Sequence, residues 1–141
     1  MKNIFRVSAA VAATLAITGW PGNAVAEGKA RPLSTAERAI VELVVKESLV
    51  DPESARIEIR PFILGSDLVC GRVNSKNNMG GYTGFRAFEV RIEKTAGGAI
   101  RGGSLPEHYG WGDELSSAIM ASAHCQEAGY NVPDPRPAFN R

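Results

Sequence analysis

The chain has only two cysteines, and the residue patterns around them point to a single arrangement. Cys70 sits in residues 68–74 (LVCGRVN), a strand-like run in which Leu68 and Cys70 share one face and Val69 and Val73 the other. Cys125 sits on a helical stripe with Leu115, Ala118, Ile119 and Ser122. That helix runs from about Asp113, an N-cap residue, to Ala128, with Gly129 as the left-handed stop. A Cys70–Cys125 bond would therefore clamp the last helix against the middle of a sheet.

The compartment favours that bond. Residues 1–26 have the three parts of a secretory signal. Lys2 and Arg6 supply the positive start, residues 7–18 (VSAAVAATLAIT) the apolar run, and Ala24-Val25-Ala26 the small-x-small cleavage pattern before Glu27. A helical run of about 12 residues reaches roughly 18 Å, short of the ~30 Å hydrocarbon core, so no integral membrane anchor is expected after signal cleavage. In an oxidising compartment, one cysteine pair without a third candidate reads as a disulfide. Closing so long a loop stabilises by about 4 kcal/mol in the chain-entropy model. A redox thiol lacks the close Cys-x-x-Cys spacing that lowers a thiol pKa. A metal site at Cys70, Cys125 and His124 lacks a fourth ligand, and the sequence calls for no metal and no cofactor.

The chain reads as a signal at 1–26, a flexible leader at 27–33, one α+β domain at 34–129 and a Pro-rich tail at 130–141. Ser34-Thr35-Ala36-Glu37 is a capping box, and Ala36, Ile40, Val41, Val44, Val45 and Leu49 follow at helical spacing until Pro52 forbids more helix. Arg56 to Arg60 alternates as a half-buried strand, and Pro61, which cannot donate to a ladder, means that it lies at an edge or ends there. Residues 85–94 form a further strand, with Phe88, Val90 and Ile92 inward and Glu89, Arg91 and Glu93 outward. Residues 99–101 make a short fourth strand after a turn at 95–98. The order predicts a small α+β fold: an antiparallel sheet of three to four strands with an N-terminal and a C-terminal helix packed on one face.

Charge excludes some partners. Beyond the signal, 14 basic side chains (16 − 2) stand against 15 acidic ones, which provides no field for nucleic acid or anionic lipid. Gly-x-Ser-x-Gly and His-Glu-x-x-His are both absent, so the chain does not read as an enzyme. His108, Tyr109 and Trp111 read as loop residues and His124 as a solvated helix position.

Residues 74–85 (NSKNNMGGYTGF) stand out. As a plain connection they need positive φ at Gly80 and Gly81 and local turns at Asn77 and Asn78. As a recognition loop they offer Asn74, Lys76, Asn77, Tyr82 and Phe85. A P-loop is excluded, because the Lys-Ser/Thr ending is missing and a strand follows instead of a helix.

The elements Asp51-Pro52-x-Ser54-Ala55 and Cys70-Gly71-x-Val73-Asn74-x-Lys76-Asn77-x-x-Gly80-Gly81-Tyr82-x-Gly84-Phe85-x-x-Phe88 resemble a pattern of small exported or lipid-anchored proteobacterial proteins of uncharacterised function. The resemblance covers residues 51–88 and implies a Gram-negative envelope or secreted location. It brings no catalytic residue, and this chain lacks the lipidation cysteine of the anchored members. The expectation is a non-enzymatic exported binding domain whose partner is a protein or envelope component, met through the 74–85 loop. The alternatives are a secreted effector or inhibitor and, third, a small envelope hydrolase using His108 or His124.

Overall fold

A computed structural model describes residues 29–107 and 114–133. Residues 1–28, which include the stretch read as a signal, the 108–113 segment with His108, Tyr109 and Trp111, and residues 134–141 lie outside the described residues. The elements in order are β1 (Ala30–Arg31), α1 (Thr35–Glu47), a 3-10 turn (Pro52–Ser54), β2 (Arg56–Ile59), β3 (Phe62–Ile63), β4 (Leu68–Asn74), β5 (Arg86–Lys94), β6 (Ile100–Ser104) and α2 (Glu114–Glu127). The fold is α+β. Four strands form an antiparallel sheet in the order β2-β4-β5-β6, and β1 and β3 form a separate two-stranded ribbon.

Local chemistry starts α1 where the sequence indicates and stops it at Glu47, short of Leu49. The Ser34 hydroxyl accepts from the Glu37 backbone N–H at 3.3 Å, and the Glu37 carboxylate accepts from the Ser34 N–H at 2.9 Å, closing the capping box. At the other end the Ser48 hydroxyl donates to the Val45 carbonyl, about one turn before Pro52. Val41 and Val45 point into the main core with Phe62, Val69, Phe88, Val90, Ile92 and Ile100.

The two helices do not share a face, which corrects the single-face expectation. β4 and β5 pair Val69 with Val90 and Gly71 with Phe88, so these residues form one face, covered by α1. The neighbouring pairs, Cys70 with Glu89 and Arg72 with Ala87, point the other way, where α2 lies mainly along β5. Glu89, expected outward, is therefore only 1% exposed, and its carboxylate meets His124 Nδ1 on α2 at 2.8 Å. Alternation of charge had concealed this face, because a paired carboxylate can be buried where a lone one cannot.

The buried side of α2 is made of small residues: Ser117, Ala118, Ala121, Ser122 and Cys125. Leu115, expected inward, is exposed. With little apolar bulk to offer, the helix is held by the Cys70–Cys125 disulfide, whose Cα atoms stand 5.9 Å apart. Among the described residues no helix is long and apolar enough to cross a membrane.

Two end segments are more ordered than their composition indicates. Ala30–Arg31, read as flexible leader, pairs with Phe62–Ile63. Tyr130 and Val132, read as tail, are buried. The Tyr130 hydroxyl accepts from the Ile63 N–H at 3.2 Å and donates to the Leu68 carbonyl at 2.7 Å, joining the end of α2 to both sheets.

Gly71 marks a close approach between strands. A Cβ built there would meet the Glu58 carbonyl oxygen and lie 2.6 Å from the Phe88 ring. Gly71→Ala is expected to destabilise the fold by about 1–3 kcal/mol through overpacking. Chemical denaturation checks this, and an unchanged midpoint would show that β2 and the ring yield without strain.

Candidate functional site

The 74–85 connection is a built hairpin. Lys76 and Tyr82 form an antiparallel bridge across it, and the Thr83 N–H donates to the Ser75 carbonyl. At its tip the Asn77 side-chain oxygen accepts from the Met79 and Gly81 N–H groups at 3.0 and 3.1 Å. The Asn74 side-chain oxygen accepts from the Gly84 N–H at 3.0 Å. Positive φ falls at Gly80 (79°) and Gly84 (88°), not at Gly81 as expected from the sequence. At the base, the Lys76 N–H donates to the Ser54 hydroxyl, and Asp51 caps the turn that carries Ser54.

These bonds divide the five singled-out residues into two groups. The acceptor oxygens of Asn74 and Asn77 hold the hairpin in shape, while Lys76, Tyr82 and Phe85 carry their side chains outward. Tyr82 is 43% and Phe85 40% exposed, and Met79 at the tip is 93% exposed.

Both exposed rings stack against cations. The Arg56 guanidinium stands 4.5 Å from the centre of the Tyr82 ring, with the Lys76 ammonium 5.6 Å from it. The Arg72 guanidinium stands 4.6 Å from the Phe85 ring and donates to Glu58 at 2.6 Å. That hydrogen bond from Arg72 holds the Glu58 carboxyl below its ordinary range. Arg56, Glu58 and Arg72 lie on the Cys70 face of β2 and β4, the part of it that α2 leaves to solvent. Three cations and one carboxylate make this surface locally positive within a nearly neutral chain. Arg56 and Arg72 were not singled out from the sequence. The cross-strand register of β2 on β4 brings them to the hairpin, and no local pattern encodes that register.

The alternatives at the cysteines do not hold. Both sulfurs are joined to each other, which leaves neither as a free thiol or a metal ligand. Among the described residues, no group of three or more His, Cys, Asp or Glu could hold a metal ion. His124 is not a simple solvated position, since its ring is tied to buried Glu89.

Comparison with protein-family models, curated proteins and solved structures finds no match to this chain.

Proposed function

We propose that the protein is an exported, non-enzymatic binding module that meets an acidic protein or envelope surface through the hairpin and the adjoining strands. The observation that carries this reading is the pair of exposed rings stacked against Arg56, Lys76 and Arg72 on a hairpin stiffened by its own hydrogen bonds. Tyr and Arg dominate binding energy at protein interfaces, because they combine a large apolar face with directional donors. Holding them in place before contact lowers the ordering entropy paid on association. The N-terminal signal pattern and the disulfide support delivery to an oxidising compartment.

Combined replacement of Lys76, Tyr82 and Phe85 by Ala tests this reading. Stacking at exposed sites contributes about 0.5–1 kcal/mol per contact, so losing three contacts is expected to lower Tm by roughly 10 °C and leave the domain folded at room temperature. Crosslinking in the native cell envelope should lose its principal adduct. The wild-type adduct should also weaken as salt is raised, because exposed charges are screened beyond about 10 Å at 0.1 M. An adduct pattern identical in wild type and triple variant would rule the surface out.

A further inference from the structure

A separate concavity lies on the far side of the hairpin base. β6 pairs only with the later part of β5, from Arg91 to Lys94, so the stretch from Arg86 to Val90 has no β6 neighbour. The end of α1 closes over this stretch from one face with Val45, Ser48 and Leu49, and the early turns of α2 approach from the other with Ser117 and Ala118. The small side chains of Ala87, Ser117 and Ala118 leave the space between them unfilled, as a cleft of ≈ 480 Å³. That volume falls within the roughly 300–1,000 Å³ of small-molecule sites.

The cleft has two kinds of wall. Val45, Leu49, Val73, Phe88 and Leu105 make it apolar, and Ser75, Thr83 and Arg86 supply hydrogen-bonding groups. Arg86 pairs across the sheet with Val73, which places it on the α1 face among core residues, where it is half-buried. Arg86 already has a partner within the fold. A guanidinium carries five N–H donors in a planar fork that fits a carboxylate. Glu107 also borders the cleft but is exposed, so water screens its charge more than that of Arg86.

We propose that this cleft binds a small amphipathic carboxylate, with its hydrocarbon part against Leu49, Val73, Phe88 and Leu105 and its carboxylate toward Arg86 and Ser75. The apolar walls contribute affinity by releasing water, and the charged donor sets orientation and selects the anion over a neutral analogue. This site shares no ring or stacked cation with the hairpin surface, so the two readings stand or fall separately.

Titration of the full disulfide-bonded chain with decanoate and with decanol, below their micellar or solubility limits, tests the proposal. Binding is read by thermal shift and by amide chemical-shift changes. Decanoate should bind saturably, and decanol about tenfold more weakly, the difference a charge-assisted hydrogen bond provides. Leu105→Trp, which adds bulk to the apolar wall, should weaken both, and Arg86→Gln should remove the preference for the acid. Absence of saturable decanoate binding, or equal binding of acid and alcohol by the wild type, would overturn the proposal without need of either variant. Unchanged decanoate affinity in folded Leu105→Trp and Arg86→Gln would overturn it as well.

Discussion

Replacing Cys70 and Cys125 together by Ala is expected to destabilise the domain by about 4 kcal/mol, the loop-closure entropy of a link spanning 55 positions. For a domain of about 100 residues this corresponds to a drop of roughly 20 °C in Tm. Total stabilities are about 5–15 kcal/mol, so the variant should populate unfolded chain at moderate temperature. The loss should fall first on α2, because its buried side consists of Ala, Ser and Cys and contributes little apolar area. Amide exchange should therefore quicken in residues 114–127 before it does in β4 and β5. Urea unfolding of the wild type and the double variant gives the magnitude. Midpoints equal to within about 1 kcal/mol would mean that α2 docks adequately without its covalent tie.

Glu37→Gln is expected to be the next most damaging change, at about 3 kcal/mol. The carboxylate is only 4% exposed and accepts from both terminal nitrogens of Arg31 at 2.7 Å, from the Ser34 N–H at 2.9 Å and from the Ile100 N–H at 3.0 Å. It thus joins β1, the start of α1 and the start of β6. The amide keeps one acceptor oxygen and turns an NH2 group toward existing donors, leaving buried hydrogen bonds unmade. The Arg31 hydrogen bond, aided by the two backbone donors and opposed by burial, holds the Glu37 carboxyl far below the usual carboxylate range. With a depressed folded pKa, the unfolded chain binds more protons in acid. The stabilisation is complete above the ordinary glutamate value of about 4.3 and is lost as pH falls below it. The gap between wild type and Glu37→Gln, measured by urea unfolding, should therefore be widest near neutrality and narrow steadily below about pH 5. Parallel pH profiles would place the acid sensitivity on other carboxylates.

The agreement between sequence and structure follows the range of the interactions involved. Ser34 and Glu37 cap a helix through atoms three residues apart, and the 68–74 strand is set by its own alternation; both are legible in one dimension. The 74–85 hairpin is partly legible. Its Gly and Asn content indicates a tight connection, yet the side-chain oxygens of Asn74 and Asn77 turn out to serve the hairpin, while Lys76, Tyr82 and Phe85 remain outward. Arg56 and Arg72 are strand charges indistinguishable in sequence from ordinary solvent-facing ones, and they matter only because register sets them against two rings.

Short-range patterning alone thus suffices for the α+β class, the placement of the main elements and the cysteine pairing, since helix phase and strand alternation are properties of neighbouring residues. It does not reveal that α1 and α2 lie on opposite faces, that Glu89 is buried against His124, or that β6 stops short and leaves a cleft beside Arg86. Each of these depends on which strand lies beside which and on what covers each face. Those contacts join residues far apart in the chain, and only the folded packing of the sheet between its two helices decides them.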